Sequence, residues 1–185
     1  MKKRYIAGIL LIILTKFLIP SATVDTKELY SYCKENKLNT DYCILVDFSR
    51  YSGVNRFYIY SFKENKILYK SLCANGRGKE NNIFNSTFSN EEGSNYSSLG
   101  RYKVGSLRKT SNKFLGKGFT VYGLDSTNSN ALKRGILIHH GNPPFELYPL
   151  PAIPVSRGCF AVSDDMMKHI SEIQSNKPLL LYAYR

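Results

Sequence analysis

The sequence predicts a mainly-β domain, a sandwich or partly closed barrel of short strands with one clear helix in its C-terminal half. Apolar or alternating runs of strand length recur from Tyr42 onward, and Ser, Asn and Gly clusters separate them. Apolar residues at clear helical spacing follow only after Ser163. A chain of 185 residues can bury one good core, so a single domain is the default.

The N-terminus stands outside that core. Lys2, Lys3 and Arg4 precede apolar residues from Ile6 to Leu14 and Phe17 to Ile19, with Ser21 and Ala22 after them. A basic start, a short apolar run and small residues read as a secretory signal or N-terminal anchor over residues 1–22. Lys16 and the shortness of the run argue against a spanning helix. Residues 23–41 form a lead-in, with a short helix expected between Thr26 and Lys37. The main folded domain is expected over 42–185.

Tyr42 to Phe48 is a nearly continuous apolar run, and Ser52-Gly53 marks a turn. Arg56 to Phe62 and Lys66 to Cys73 flank Lys63-Glu64-Asn65, which predicts a β-hairpin. Its first strand carries apolar side chains on both faces. Asn75 to Gly100 is dense in Asn, Ser and Gly without repeats, and reads as ordered irregular structure pinned by Phe84, Phe88 and Leu99. Tyr102 to Ser106 and Phe119 to Leu124 are further strands, separated by a basic loop with Arg108, Lys109, Lys113 and Lys117. Asp125 to Asn130 is a turn cluster, and Leu132 to His140, with a β-prone run from Ile136, leads into the stretch that carries the chemistry. After Phe160-Ala161-Val162, Ser163 is a good N-cap, and Asp164 and Asp165 suit the first helical turn. Met166, Ile170 and Ile173 are then core-facing, Pro178 ends the helix, and Leu179 to Tyr184 is a terminal strand.

The net charge of +12 falls to +8 once the four basic residues of 1–22 are removed. A basic exported protein favours anionic envelope polymers or lipid surfaces. Nucleic acid is not expected as a partner, since no zinc-finger or RNP-like motif is present. Four cysteines occur, Cys33, Cys43, Cys73 and Cys159. Cys33 and Cys43 are spaced so that a disulfide is permitted, and Cys73 reads as a small buried apolar residue. With no C-x2-C pair and only three scattered histidines, neither a metal site nor another cofactor is expected.

The chemistry concentrates between Arg134 and Ser163, RGILIHHGNPPFELYPLPAIPVSRGCFAVS. A short β-prone run ends in His139 and His140, and a loop stiffened by Pro143, Pro144, Pro149, Pro151 and Pro154 closes on Ser156-Arg157-Gly158-Cys159. A cysteine attacks only as thiolate, and a free thiol near pKa ~8.5 supplies little of it at neutral pH. An imidazole within reach removes that obstacle by taking the proton. Gly158 lets the backbone approach a substrate closely. The alternative is an inert Cys159, buried or bonded to Cys73.

R-x-I-L-I-H followed by S-R-G-C-F-A-V resembles the YkuD-type L,D-transpeptidases, in the branch known as the murein L,D-transpeptidase catalytic domain. The likeness extends through Tyr51-Ser52-Gly53, Arg56-Phe57, Asn75-Gly76-Arg77-Gly78, Phe88-Ser89-Asn90, Ser97-Ser98-Leu99-Gly100 and Tyr122-Gly123-Leu124, covering Tyr42 to Tyr184. It implies a YkuD-like β fold and acyl transfer on peptidoglycan stem peptides in the bacterial periplasm or envelope. Cys159 would be the nucleophile, with the amides of Gly158 and Cys159 as oxyanion donors. Aligned on R-x-I-x-I-H the family histidine is His139, the favoured base; aligned on H-G it is His140. Only one of the two can face Cys159 from a strand. Ser156 would hold the turn, and Tyr122 would line the site. Arg157, where relatives often carry His or Trp, would bear on thiolate stabilisation or on a substrate carboxylate. Arg134 would orient the loop or bind such a carboxylate. The resemblance leaves open whether an amine resolves the thioester into a 3-3 cross-link or water hydrolyses it. Outside enzymology, a basic wall-binding module with a dead centre is the competing expectation.

Overall fold

A computed structural model describes residues 24–81, 86–110, 116–141 and 156–185. The expected leader at 1–22, the proline-rich loop at 143–154, Phe84 and Lys113 lie outside the described residues. The order along the chain is helix α1 (Thr26–Glu35), strands β1 (Tyr42–Asp47), β2 (Phe57–Ser61), β3 (Lys66–Ser71), β4 (Gly100–Lys109), β5 (Lys117–Gly123), β6 (Leu137–His140) and β7 (Phe160–Val162), helix α2 (Asp164–Ile173) and strand β8 (Leu180–Tyr184). The strands form one mixed sheet in the order β3-β2-β1-β8-β4-β5-β6-β7.

The apolar run of β1 is continuous because both its faces are covered. Ile44 and Val46 point into the barrel beside Phe57, Ile59, Tyr102, Phe160 and Leu181. Cys43 and Leu45 point outward into a second cluster with Leu29 and Cys33 of α1, Tyr58, Tyr60 and Leu180. A strand covered on one side only would alternate apolar with polar. Helix α1 supplies that outer cover. Asp25 caps it by accepting from the amides of Lys27 at 2.9 Å and Glu28 at 3.1 Å.

The sheet curls until its two ends almost meet, giving a nearly closed barrel. Past β3, the Ala74 amide donates to the Ala161 carbonyl of β7 at 3.1 Å, and Gly76 bridges Ser156. The buried Arg56 clamps this seam: Nε donates to the Cys73 carbonyl and Nη2 to Asn75 Oδ1, both at 2.8 Å. Its guanidinium also lies 5.0 Å from the Phe48 ring centroid. Helix α2 begins under its predicted cap, Ser163 Oγ accepting from the Met166 amide at 3.2 Å. Met166 and Ile170 seat it on the barrel core, and truncating Ile170 to alanine would cost about 2–5 kcal/mol.

The Asn-rich segment is ordered by its own side chains. Asn90 accepts from the Asn130 amide at 3.1 Å, and its Nδ2 donates to the Ser126 carbonyl at 3.0 Å. Phe88 packs 5.3 Å from Phe48, ring to ring.

One expectation changes. Arg108, Lys109 and Lys117 belong to strands, not to a basic loop, because the β4–β5 ladder continues through Arg108–Gly118 and Lys109–Lys117 beyond the core. The β-prone run of Ile136 to His140 is strand from Leu137, after a turn in which Gly135 stands at φ +65. Neither Cys33 and Cys43 nor Cys73 and Cys159 are bridged; all four thiols are free, three of them packed fully into apolar clusters.

Candidate active site

Strands β6 and β7 run parallel with Ile138, His139 and His140 opposite Phe160, Ala161 and Val162. Ile138, Phe160 and Val162 are core residues, so this set defines the inner face. Paired residues in a parallel ladder point the same way and neighbours alternate. His139 and Ala161 therefore stand on the outer face. Cys159, one residue before the Phe160 pair, shares that face and lies level with Leu137. By this register Cys159 and His139 lie diagonally from one another on that face. His140 takes the other side, where Nδ1 sits 3.5 Å from Asp164 Oδ1 at the start of α2.

The imidazole of His139 is oriented by its own strand. Nδ1 lies 2.6 Å from the His140 carbonyl oxygen. A carbonyl can only accept, so Nδ1 carries the proton and Nε2 presents the lone pair. Burial holds His139 below the ordinary histidine pKa, a fall that the carbonyl contact opposes and the nearby His140 reinforces. The ring is thus neutral at pH 7, the form a base requires.

Cys159 retains 9 % of its surface, whereas Cys33, Cys43 and Cys73 retain none. Burial raises its thiol above the usual value, while a hydrogen bond from the Leu137 backbone and the charge of Arg134 pull it back. Burial alone governs Cys33, pushed up to about 11, and dominates at Cys73, pushed up to about 12. Cys159 is the cysteine with both access and polar counterweights. Its Sγ lies 3.7 Å from the Gly135 carbonyl oxygen.

The turn before Cys159 is built around Gly158, at φ +108. A Cβ there would stand 2.6 Å from the Tyr96 carbonyl oxygen and 2.9 Å from Ile136 Cδ1. Ser156 is buried and its Oγ accepts the Gly158 amide at 3.1 Å, which closes the turn. Arg134 ties the Asn-rich segment against it. Nη1 donates to the Ser89 carbonyl at 2.8 Å and to Ser98 Oγ at 3.3 Å, and Nη2 donates to the Tyr96 carbonyl. Those partners all lie between Ser89 and Ser98. Arg157 is exposed beside Cys159. Tyr122 lies on the outer face of β5, in phase with Gly118 opposite His139, and Lys103 Nζ sits 5.0 Å from its ring centroid. Among the described residues no three of His, Cys, Asp or Glu gather as a metal ion would need.

The His140 carbonyl, the Leu137 backbone and Arg56 were not singled out as site components from the sequence. Backbone groups leave no residue signature, and Arg56 stood out only as part of a family-like dipeptide.

The sequence profile of the YkuD L,D-transpeptidase catalytic domain matches residues 20–184. The chain belongs to that family. The YkuD family acts on peptidoglycan, a polymer of the cell envelope. Among curated proteins none matches the chain. Similar solved structures include Bd1075 from Bdellovibrio bacteriovorus, 17 % identical with a TM-score of 0.48, covering 80 % of this chain and 49 % of that one. An L,D-transpeptidase fragment from Xylanimonas cellulosilytica is 13 % identical with a TM-score of 0.46, covering 83 % and 68 % respectively. The helical cell shape determining protein Pgp2 from Campylobacter jejuni is 17 % identical with a TM-score of 0.46, and the match covers 70 % of this chain but only 43 % of Pgp2.

Proposed function

We propose that this YkuD-family domain is a cysteine acyltransferase acting on peptidoglycan stem peptides after export through its N-terminal segment. The observation that carries the reading is the sharing of one sheet face by Cys159 and a neutral, carbonyl-oriented His139. His139 Nε2 takes the Cys159 proton as Sγ attacks the carbonyl joining an L-centre to the terminal D-residue. The C–N bond then breaks, the proton passes from His139 to the departing amine, and a thioester remains on Cys159. An amine from a neighbouring stem attacks that thioester and loses its proton to His139, and the sulfur leaves with it restored, giving a 3-3 cross-link. A raised thiol and a lowered imidazole favour a neutral resting pair, so proton transfer accompanies attack.

The oxyanion forms next to the amides of Gly158 and Cys159. Gly158 already donates to Ser156 Oγ, so it exchanges a hydroxyl for the developing charge, a stronger acceptor. Tyr122 forms a wall of the cleft. The basic surface favours the anionic polymers of the wall.

Incubation with purified tetrapeptide muropeptides, followed by mass spectrometry of products, tests the reading. Dimers lacking one terminal D-residue are expected, and Cys159→Ala should abolish them. Monomers shortened by one residue without dimers would make the domain an L,D-carboxypeptidase. Retained cross-linking in Cys159→Ala would defeat the assignment.

A further inference from the structure

Two exposed arginines, Arg77 and Arg157, leave one backbone bridge on adjoining chains, next to the turn that carries Cys159. Gly76 and Ser156 form a parallel bridge, and the Arg77 amide donates to the Ser156 carbonyl at 2.9 Å. Arg77 and Arg157 are each the next residue beyond that bridge. Gly76 and Ser156 are buried, Arg77 and Arg157 exposed. A Cβ on Gly76 would strike the backbone of Tyr96 and Ser97, both at 2.6 Å, so the bridge is pressed against that segment and the arginines are directed away from it. Neither has an ion-pair partner among the described residues. Like charges held on adjoining chains repel, and an anion bound between them would relieve that repulsion through charge-assisted hydrogen bonds.

We propose that Arg77 and Arg157 form a receptor for the free carboxylate at the C-terminus of the donor peptide. The inference rests on the acyl-transfer reading of Cys159, which places the scissile carbonyl one residue from that carboxylate. Arg157 is two residues from Cys159 in sequence, and Arg77 is fastened to the same turn through Ser156. Guanidinium groups match a carboxylate in plane and bidentately. Arg134 is instead turned to Ser89, Ser98 and Tyr96, each of which accepts from its guanidinium. Binding the terminal carboxylate confines attack to the last peptide bond, so the pair determines which bond is cleaved.

The test separates binding from chemistry by using Cys159→Ala protein. Calorimetry compares a synthetic stem tetrapeptide bearing a free C-terminal carboxylate with the same peptide as its C-terminal amide. The acid is expected to bind between roughly ten- and a hundred-fold more tightly, the range for charge-assisted hydrogen bonds. Arg77→Met combined with Arg157→Met should remove that preference and leave the weaker amide affinity unchanged, whereas the double Lys replacement should restore part of it. Both positions are exposed, and thermal unfolding is expected to stay within a few degrees of the parent. Equal affinity for acid and amide, a preference that survives the double Met replacement, or no measurable binding of the acid would overturn the carboxylate receptor. Acylation of Cys159 in the otherwise unaltered protein is scored separately, so the receptor can fail while the acyl-transfer reading stands, and the reverse.

Discussion

Replacing His139 and His140 one at a time separates the two histidines more sharply than any other perturbation. His139→Gln removes the neutral Nε2 that faces the outer side of β6. A general base contributes 10²–10⁴-fold, about 3–5 kcal/mol of barrier, so single-turnover acylation of Cys159 by a tetrapeptide should fall by that factor. His140→Gln is different in kind. Its ring faces Asp164 at 3.5 Å, with the carboxylate side chain 77 % exposed, and such a contact is worth about 0–1 kcal/mol. The part of His140 that matters to the site is its carbonyl, which a side-chain replacement leaves in place. Acylation by His140→Gln should therefore stay within about five-fold of the parent, the equivalent of ~1 kcal/mol. Rates are read by quenched-flow mass spectrometry at pH 7, with circular dichroism confirming that both proteins fold. A collapse in His140→Gln alongside near-parent rates in His139→Gln would refute the facing argument.

Other outcomes follow from the same geometry. Gly158→Ala forces a side chain into φ +108 against Tyr96 and Ile136; strain of about 1–3 kcal/mol should lower the melting temperature by several degrees and acylation by at least ten-fold, and unchanged melting and rate would contradict the turn. Arg56→Met strips donors from the Cys73 carbonyl and Asn75 Oδ1 at the seam; denaturant unfolding should report a loss of about 2–4 kcal/mol, and a neutral result would mean that the seam holds without the clamp. Because burial depresses His139, the acid limb of the acylation rate should have its midpoint below pH 6.5: the base is lost only as pH falls through that lowered value. A midpoint above 6.5 would assign the limb to another group.

Much of this molecule was legible in its residues. The nearly continuous apolar run of Tyr42–Phe48 foretold a strand, Arg56–Phe62 one with apolar cover on both faces, and Ser163 with Met166 and Ile170 foretold α2, because cap chemistry and periodicity are local. Strand alternation likewise implied that only one of His139 and His140 could face Cys159, while the inward placement of Ile138 and Phe160, seen only in the fold, selects the face. What stayed hidden was non-local or carried by the backbone. The seam between Ala74 and Ala161, the proximity of Arg77 to Arg157, and the carbonyl that orients His139 depend on how the barrel curls. The continuation of β4 through Lys109 was missed because its outer half is charged and exposed, held by ladder hydrogen bonds rather than by apolar side chains.

The intact mass of the protein after brief exposure to a tetrapeptide muropeptide tests the central claim most directly. An increase equal to the donor less its terminal D-residue, located on Cys159 by peptide mapping and removed by hydroxylamine as a thioester would be, is the predicted result. An unmodified mass at every time point while the donor is consumed, or an adduct on any other residue, would contradict it.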